Sequence, residues 1–262
     1  MTLCISATCY DKKKPCIVVS SDWKAEVGDV ASSEIQNKLY WLFDGKIAVL
    51  ISGVASDGHA FIATLKQEIK PRTLTASNIG DRLTEATLKH KAKLVNNEVL
   101  RRHSVTFEHF RTHRNEFDKD QWATTWGKLT DFDMGCQAII CTFIKKFPYM
   151  FRADGDATVW QEENFLTIGS GSSIADSILC FRRQNEDYPL ADTLYNIFEA
   201  TMFARKSKTP GVGKIHAFSV LYPGKQQRLR GRGLKLMAEF FSKYGPDDVP
   251  NLFVPKECWE EY

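Results

Sequence analysis

Apolar and polar residues alternate in blocks over the first 53 positions, and the blocks predict two β-hairpins. The runs TLCISATCY and CIVVSSD are rich in β-forming residues and flank the polar turn DKKKP. The runs KLYWLF and IAVLIS flank Asp44-Gly45-Lys46, and an Asp-Gly pair favours a hairpin turn because glycine adopts positive φ freely. Since both alternating faces of the second hairpin are apolar, its sheet is expected to be covered on both sides.

Apolar residues recur at helical spacing after Gly53. The segment VASDGHAFIATLKQEI predicts a helix with Pro71 shortly after its end. A long, highly charged helical segment is expected from Asn78 to about Gly127, with an intermittent apolar stripe that includes Leu83 and Leu88.

The last 127 residues return to strands and then alternate between helix and strand. The predicted elements are strands at CQAIICTFI, PYMFRAD and ATVWQEENFLTIGSGSS, helices over 174–183 and 190–206, a strand at KIHAFSVLY, and an amphipathic helix after the basic stretch KQQRLRGRGLK. The whole order predicts an α+β protein in which two antiparallel sheets stack between helical layers. We expect one domain over residues 1–262, with a projecting segment at about 78–130 and a C-terminal basic loop and helix at about 224–262.

Composition indicates the class of protein and argues against some partners, but it does not identify a function. At 262 residues, 43% hydrophobic and 26% charged, the chain is typical of a globular protein with a sizeable core. A net charge of +3 is too small to indicate nucleic acid, and no apolar run approaches the ~20 residues of a membrane span. The first residues carry no basic region and no clear cleavage site, so no secretory signal is expected. The sequence therefore predicts neither a nucleic-acid nor a membrane partner.

The cysteines favour a reduced compartment. They are odd in number, form no CxxC pair and lie mostly inside apolar runs: Cys4, Cys9, Cys16, Cys136, Cys141, Cys180 and Cys258. Buried free thiols behave as small hydrophobic groups. We expect a cytoplasmic protein with neither structural disulfides nor a zinc site.

The two hairpins bring four polar or small residues to one rim. Folding the first hairpin about its lysine-rich turn sets Thr2 near Asp22. Folding the second about Asp44-Gly45 sets Lys38 near Ile51, with Gly53 just beyond. Thr2 also follows Met1, and removal of an initiator methionine before a small residue is routine. The mature chain is then expected to begin with a threonine that carries a free amine.

These four residues supply what a hydroxyl nucleophile needs. A threonine hydroxyl requires a base, and its own α-amine, which titrates near ~8, can act as one. A Lys38 cation would keep that amine neutral, and Asp22 would hold Lys38 and balance its charge. Gly53 lies where a strand turns into a helix and could donate a backbone N–H to a developing oxyanion, which is worth roughly 2.7–4 kcal/mol.

At these residues the sequence resembles the proteasome β-subunits, within the N-terminal-nucleophile hydrolases. The matching segments, in order, are Thr2 next to the start, IVVSSD ending in Asp22, QNKLYWL containing Lys38, SGVASDGHAF containing Gly53, and LTIGSGSSIADSIL containing Ser170. The step of sixteen residues from Asp22 to Lys38 equals the family's spacing. The resemblance covers roughly residues 2–70 and 136–220.

The resemblance implies the family's four-layer αββα sandwich and its chemistry. It implies Thr2 as the nucleophile, Asp22 and Lys38 as electrostatic support, Gly53 as the oxyanion donor and Ser170 as an assisting group. The residues that it places against a substrate are Ala25, Gln36, Ile51 and Ala55, a modest and mainly apolar set. It implies peptide or protein substrates, self-assembly into a ring or other homo-oligomer and no cofactor or metal, and it leaves an unfoldase partner open.

Two departures from the family pattern stand out. Where the β-subunits usually carry an aspartate and a serine in a late loop, ARKSKTPGVGK has Lys208 and Gly211, and Ser207 or Thr209 could substitute. The charged segment around residues 90–130 is also longer than the family's and is expected to alter or replace the usual ring contacts. The resemblance is closer in character to the stand-alone bacterial relatives than to a eukaryotic subunit.

Several residues have a second interpretation. Ser170 could cap the helix that begins near Ile174, and Cys4 is the stronger nucleophile chemically but is expected in the core. His109 and His113, four apart, could share a helix face as metal ligands do, although a solvated face is the favoured interpretation. Three arginines in a basic stretch invite a nucleic-acid interpretation, but a loop against a neighbouring subunit is preferred: Arg228, Arg230 and Arg232.

Three functions remain open at this point. The first is an N-terminal threonine hydrolase that cleaves amide bonds, a threonine-type peptidase in a homo-oligomeric, proteasome-like assembly. The second is a non-catalytic scaffold subunit of the same fold. The third is an amidase of that fold that acts on a small molecule.

Overall fold

A computed structural model describes residues 2–27, 31–33, 37–207, 212–213, 216–245 and 254–261. Its strands are β1 (Cys4–Asp11), β2 (Lys14–Asp22), β3 (Ala25–Val27), β4 (Ala31–Ser33), β5 (Leu39–Leu42), β6 (Ile47–Gly53), β7 (Cys136–Ile144), β8 (Phe147–Ala153), β9 (Val159–Glu162), β10 (Phe165–Ile168), β11 (His216–Tyr222), β12 (Lys225–Leu229) and β13 (Trp259–Glu261). Its α-helices are α1 (Ala55–Glu68), α2 (Ile79–Val95), α3 (Phe107–Thr112), α4 (Lys119–Thr130), α5 (Ser172–Phe181), α6 (Leu190–Lys206) and α7 (Gly231–Tyr244). Among these helices, none is long and apolar enough to cross a membrane.

Two antiparallel sheets form the centre of the fold. The larger has the order β10-β1-β2-β11-β12-β13, the smaller has β5-β6-β7-β8-β9, and β3 and β4 pair separately. The apolar layer between the two sheets contains Cys4, Ile17, Val19, Leu50, Ile139, Met150, Leu166 and Ile168. Burial of this layer is the main stabilising contribution at the centre of the molecule.

Helices cover the outer face of each sheet. Phe61, Ile62 and Leu65 of α1 pack with Leu83 of α2 on the smaller sheet. Helices α5, α6 and α7 cover the larger sheet in a second cluster, which includes Leu179, Ile197 and Met237. The molecule is thus an αββα sandwich, and the predicted fold class is confirmed.

Both predicted hairpins form, with turns that need left-handed backbone. Lys12 and Lys13 have φ of 48° and 69° in the first turn. In the second turn Asp44 and Gly45 have φ of 57° and 79°, the conformation that an Asp-Gly pair favours. Because each turn closes within a few residues, the register of each hairpin follows from local sequence.

The segment ATVWQEENFLTIGSGSS is two strands, so its prediction as one was wrong. Strand β9 pairs with β8 in the smaller sheet, whereas β10 pairs with β1 in the larger one. The polar residues Glu163 and Asn164 lie between them, and the carbonyl of Asn164 accepts from the N–H of Thr8. The chain therefore crosses between sheets where its apolar pattern is interrupted.

The expected basic loop near residue 224 was also wrong in part. Residues Lys225–Leu229 form β12, which pairs with β11 on one side and β13 on the other. Arg228 lies opposite Glu260 in this register, and its guanidinium lies over the ring of Trp23 at 5.3 Å. Pairing to two strands, and not a loop, therefore accounts for this part of the stretch.

The charged segment after α2 is a series of short helices and not one long helix. A π-helical turn, Asn96–Leu100, and a 3-10 turn, Arg101–His103, follow α2, and Ser104 ends them with φ of 58°. Phe110, Trp122 and Leu129 pack with Leu100 in a separate apolar cluster. Leu88 of α2, expected on the apolar stripe, is 53% exposed, because α2 packs on the smaller sheet through its other face, which includes Leu83 and Ala86.

Candidate functional site

Thr2 and Asp22 meet at one end of the larger sheet. Cys4 lies opposite Ser21, so Asp22 lies opposite Leu3, one residue from Thr2. The backbone N–H of Leu3 donates to Asp22 Oδ1 at 2.8 Å, and Thr2 is only 5% exposed. The first hairpin therefore fixes Thr2 next to a buried carboxylate.

Asp22 and Lys38 form a buried ion pair. Lys38 Nζ lies 3.0 Å from Asp22 Oδ1 and 3.1 Å from Oδ2, with Asp22 fully buried and Lys38 7% exposed. The backbone N–H groups of Lys24 and Gly213 both donate to Oδ2 at 3.1 Å. A buried charge is tolerated when it is paired and its oxygens are satisfied, as they are here.

Ser170 contacts the backbone of Thr2. The N–H of Thr2 donates to Ser170 Oγ at 3.3 Å, and that hydroxyl lies 3.5 Å from the Thr2 carbonyl oxygen. Gly171 is the residue before α5 and supplies no side-chain cap, so Ser170 does not cap the helix. A Cβ on Gly169 would lie 2.2 Å from the Thr2 carbonyl oxygen, which explains the glycine that lets this loop approach Thr2.

A small cavity joins the predicted residues. Its lining contains Thr2, Lys38, Tyr40, Ile51, Gly53, Ala55 and His59. Its volume of about 20 Å³ is enough for roughly one water molecule. Two of the four predicted substrate contacts, Ile51 and Ala55, are in this lining. The side chain of Ala25, and Gln36 altogether, lie outside the described part of the chain.

Sequence reasoning missed Tyr40 and His59 at this cavity. The Tyr40 hydroxyl and His59 Nε2 are 2.7 Å apart, and burial raises the pKa of Tyr40. Two patterns point to them: Tyr40 lies two residues after Lys38 on an extended segment, and His59 lies four residues after Ala55 on a helix. The lining is therefore more polar than the predicted contacts alone suggest.

Gly53 is required by the backbone at the end of β6. Its φ is +109°, and a Cβ there would lie 2.3 Å from the carbonyl oxygen of Gly135. Only glycine adopts this conformation without strain. The same absence of a side chain leaves the Gly53 backbone open to the cavity that Thr2 lines.

Replacing Gly53 with alanine is expected to destabilise the fold. The strained φ and the backbone clash together predict a loss of about 2–4 kcal/mol in the free energy of unfolding, measured by urea titration. Gly127→Ala in α4 is the control, because a Cβ there meets nothing within 4 Å and alanine favours a helix by about 1 kcal/mol. Equal stability of the two variants would contradict this account of Gly53.

In the described part of the late loop, the group at the site is a backbone N–H. Ser207 Oγ donates back to the carbonyl of Ala204 at 2.7 Å, while Lys208, Thr209 and Gly211 lie outside the described residues. The contact that the structure describes comes from the N–H of Gly213 to Asp22. No sequence signal identifies a backbone donor of this kind.

His216 is buried beside this loop. It lies opposite Asp22 in the pairing of β11 with β2, and its Nε2 is 2.8 Å from the carbonyl oxygen of Gly213. Burial lowers its pKa to about 4, against a smaller opposing effect of the Asp22 carboxylate. The imidazole is therefore neutral at physiological pH.

This shift predicts a loss of stability in acid. The unfolded chain takes up a proton near pH ~6.5 while folded His216 does not until about pH 4, so stability falls as the pH drops between these values. From pH 7 to pH 5 the His216 contribution is expected to cost about 2 kcal/mol. Urea titrations at both pH values should show a smaller loss for His216→Gln than for wild type, and equal losses would contradict the assignment.

Cys4 lies beside the cavity but inside the core, whereas His109 and His113 lie in the helical segment after α2. Cys4 is fully buried in β1, its Sγ faces the carbonyl of Ile51 at 3.6 Å, and burial raises the pKa of its thiol. The rings of His109 and His113 stack with centroids 4.4 Å apart, and His109 Nε2 lies 3.0 Å from Glu116 Oε2. Within the described ranges, no three histidine, cysteine or acidic residues form a group that could hold a metal ion.

Two solved structures share the architecture of this chain. Eukaryotic HslV from Trypanosoma brucei superposes with a TM-score of 0.52 at 16% identity and covers 84% of this chain and 99% of its own. Anbu, an ancestral beta-subunit from Yersinia bercovieri, superposes with a TM-score of 0.61 at 14% identity and covers 97% of this chain and 100% of its own. No family model matches the sequence, and no curated protein matches it significantly. At such identities the likeness shows the fold alone, an αββα sandwich.

Proposed function

We propose that the protein is an N-terminal threonine hydrolase that cleaves amide bonds in peptides. The observation that carries the proposal is the cavity in which Thr2 lies with Lys38, whose ammonium is held by the buried Asp22 carboxylate. A buried cation beside a small hydroxyl residue is costly to maintain for structure alone. Beside a reacting amine, the same cation favours the neutral form of that amine, which can accept a proton.

The proposed reaction begins once Met1 has been removed. The free amine of Thr2 takes the hydroxyl proton, and Thr2 Oγ1 attacks the substrate carbonyl. The Gly53 N–H stabilises the oxyanion that forms. The amine then gives its proton to the leaving nitrogen, so that the amide bond breaks and an ester to Thr2 remains.

The second half of the cycle restores the enzyme. The Thr2 amine takes a proton from water, and the resulting hydroxide attacks the ester carbonyl. The ester bond breaks, Thr2 Oγ1 recovers the proton, and the acid product leaves. Ser170, which lies 3.3 Å from the Thr2 nitrogen, orients the amine in both halves.

We further propose a homo-oligomeric, proteasome-like assembly. The support is the shared fold with a protein described as an ancestral beta-subunit, together with the length of the chain that it covers. The described cavity beside Thr2 is small, about 20 Å³, which favours a small substrate side chain. Peptides with small residues before the cleaved bond are the expected substrates, and whether an unfoldase delivers them is a separate question.

Turnover of defined substrates tests the proposal. Purified protein is incubated with a mixture of short peptides and with a set of small-molecule amides, and cleavage is followed by mass spectrometry. Peptide cleavage is the expected result. Hydrolysis of small amides alone would support an amidase of the same fold, and cleavage of neither by an assembled protein would support the scaffold.

A further inference from the structure

The Asp22 carboxylate is connected to β11 through the backbone of one residue, Gly213, whose N–H and carbonyl belong to two adjacent peptide groups. The N–H of Gly213 donates to Asp22 Oδ2 at 3.1 Å, and the carbonyl of the same residue faces His216 Nε2 at 2.8 Å. Because a carbonyl oxygen only accepts hydrogen bonds, the imidazole must donate from Nε2. The direction of donation is therefore fixed from His216 through Gly213 to Asp22.

The close approach at Gly213 depends on the absence of a side chain. A Cβ there would lie 2.8 Å from Lys24 Cβ and 3.0 Å from Asp22 Oδ2. Any other residue would push the loop away from the carboxylate. The absence of a side chain lets the Gly213 N–H approach Asp22, and His216 holds the carbonyl of the same residue, which lies in the next peptide group.

We infer that His216 is a positioning residue for the proposed hydrolase: by holding the Gly213 carbonyl it fixes the backbone of Gly213, so that the N–H of this residue orients the Asp22 carboxylate toward Lys38. The inference rests on the proposed function for its catalytic meaning. Its structural part needs only the contacts among His216, Gly213 and Asp22. It gives the site a backbone donor in a loop whose sequence, KSKTPGVGK, contains no carboxylate.

The surroundings of His216 favour the donating, neutral form. Burial has the largest effect and opposes protonation of His216, as do Arg205 and Lys38, whereas Asp22 and the hydrogen bond to the Gly213 carbonyl favour it. Its Nδ1 is buried with no hydrogen-bond partner in the part of the chain that the structure describes. Among the described residues a proton on Nδ1 would have no acceptor, so the tautomer with the proton on Nε2 is expected.

The tautomer can be measured in the wild-type protein without any substitution. Two-bond ¹H–¹⁵N couplings of the His216 ring should show a protonated Nε2 and a bare Nδ1, unchanged from pH 8 to pH 6. A proton on Nδ1 would overturn the inference, because Nε2 could then not donate to Gly213.

Variants test whether the contact positions the site. His216→Leu removes the donor, whereas His216→Gln keeps a side-chain N–H near the position of Nε2. Hydrogen exchange of the Gly213 amide is expected to be at least about tenfold faster in the leucine variant and near wild type in the glutamine variant. Labelling of Thr2 by a peptide epoxyketone should slow by about 10- to 100-fold in the leucine variant, with its pH profile displaced, and recover in the glutamine variant.

His90→Leu is the matched control. His90 is also buried, contacts Thr64 Oγ1 through Nδ1 at 3.1 Å, and has no partner for Nε2 within the described residues. It lies on α2, so it should change neither the Gly213 exchange nor the labelling. Unchanged exchange in folded His216→Leu, or equal effects of the two leucine variants, would overturn the inference. If wild type is not labelled at all, the proposed hydrolase fails, while the tautomer and the Gly213 exchange still decide the role of His216.

Discussion

Thr2→Ala is expected to abolish peptide cleavage. The substitution removes the hydroxyl that forms the ester, and loss of a nucleophile lowers the turnover rate by at least about 10³-fold. The residue is still small, so Met1 should be removed as in wild type. The methyl that remains keeps most of the packing of this 5% exposed side chain, so the free energy of unfolding should change by about 1 kcal/mol or less.

Thr2→Ser is the control for this experiment. It retains a hydroxyl on the first side-chain carbon and a free amine after Met1 is removed, so measurable cleavage should remain. Turnover is measured with the same peptides for all three proteins, and folding is checked by urea titration. Full activity in a folded Thr2→Ala protein would contradict the assignment of the nucleophile.

Substitutions of Asp22 and Lys38, made singly and together, should affect the free energy of unfolding and peptide cleavage differently. Lys38→Met leaves a buried carboxylate without its cation, and Asp22→Asn leaves a buried ammonium without its anion. Each change is expected to cost about 3–5 kcal/mol in the free energy of unfolding. Each should also lower cleavage by about 100-fold or more, because the charge that supports the Thr2 amine is removed or released.

The double variant distinguishes the effect on the free energy of unfolding from the effect on peptide cleavage. Asp22→Asn combined with Lys38→Met removes both charges, so its loss of stability should be at least about 1 kcal/mol smaller than the sum of the single losses, yet cleavage should stay low. Lys89→Met is the surface control: Lys89 Nζ lies 2.6 Å from Glu68 Oε2, but both side chains are exposed enough that the pair is worth about 1 kcal/mol or less. Additive losses, or restored cleavage in the double variant, would contradict the account.

Local sequence predicted those parts of the fold that form locally. The two hairpins were predicted because their turns contain lysines or Asp44-Gly45 between apolar runs, and α6 matches its predicted range, 190–206. The crossing between β9 and β10 was not predicted, because partner choice depends on strands far apart in sequence. The strand β12 was missed for the same reason, since β11 and β13 pair with it around a basic sequence.

The candidate site likewise contains contacts that local sequence predicts and one that it does not. Thr2 with Asp22, and Lys38 with Ile51, each come together within one hairpin, so the turns account for each pair. The stacking of the two sheets then brings the pairs to one rim. Gly213 reaches Asp22 across 191 residues and through a backbone N–H that carries no side-chain signature. A contact of that kind depends on tertiary packing, which the local pattern does not encode.

The central claim is that Thr2 becomes a nucleophile with a free amine. The most direct measurement is the intact mass of the protein before and after exposure to a peptide epoxyketone, which needs both the amine and the hydroxyl of a terminal threonine, followed by mapping of the modified peptide. The account predicts a chain without Met1 that gains one adduct on Thr2 and none in Thr2→Ala. A chain that retains Met1 and gains no adduct, or an adduct on another residue, would contradict it.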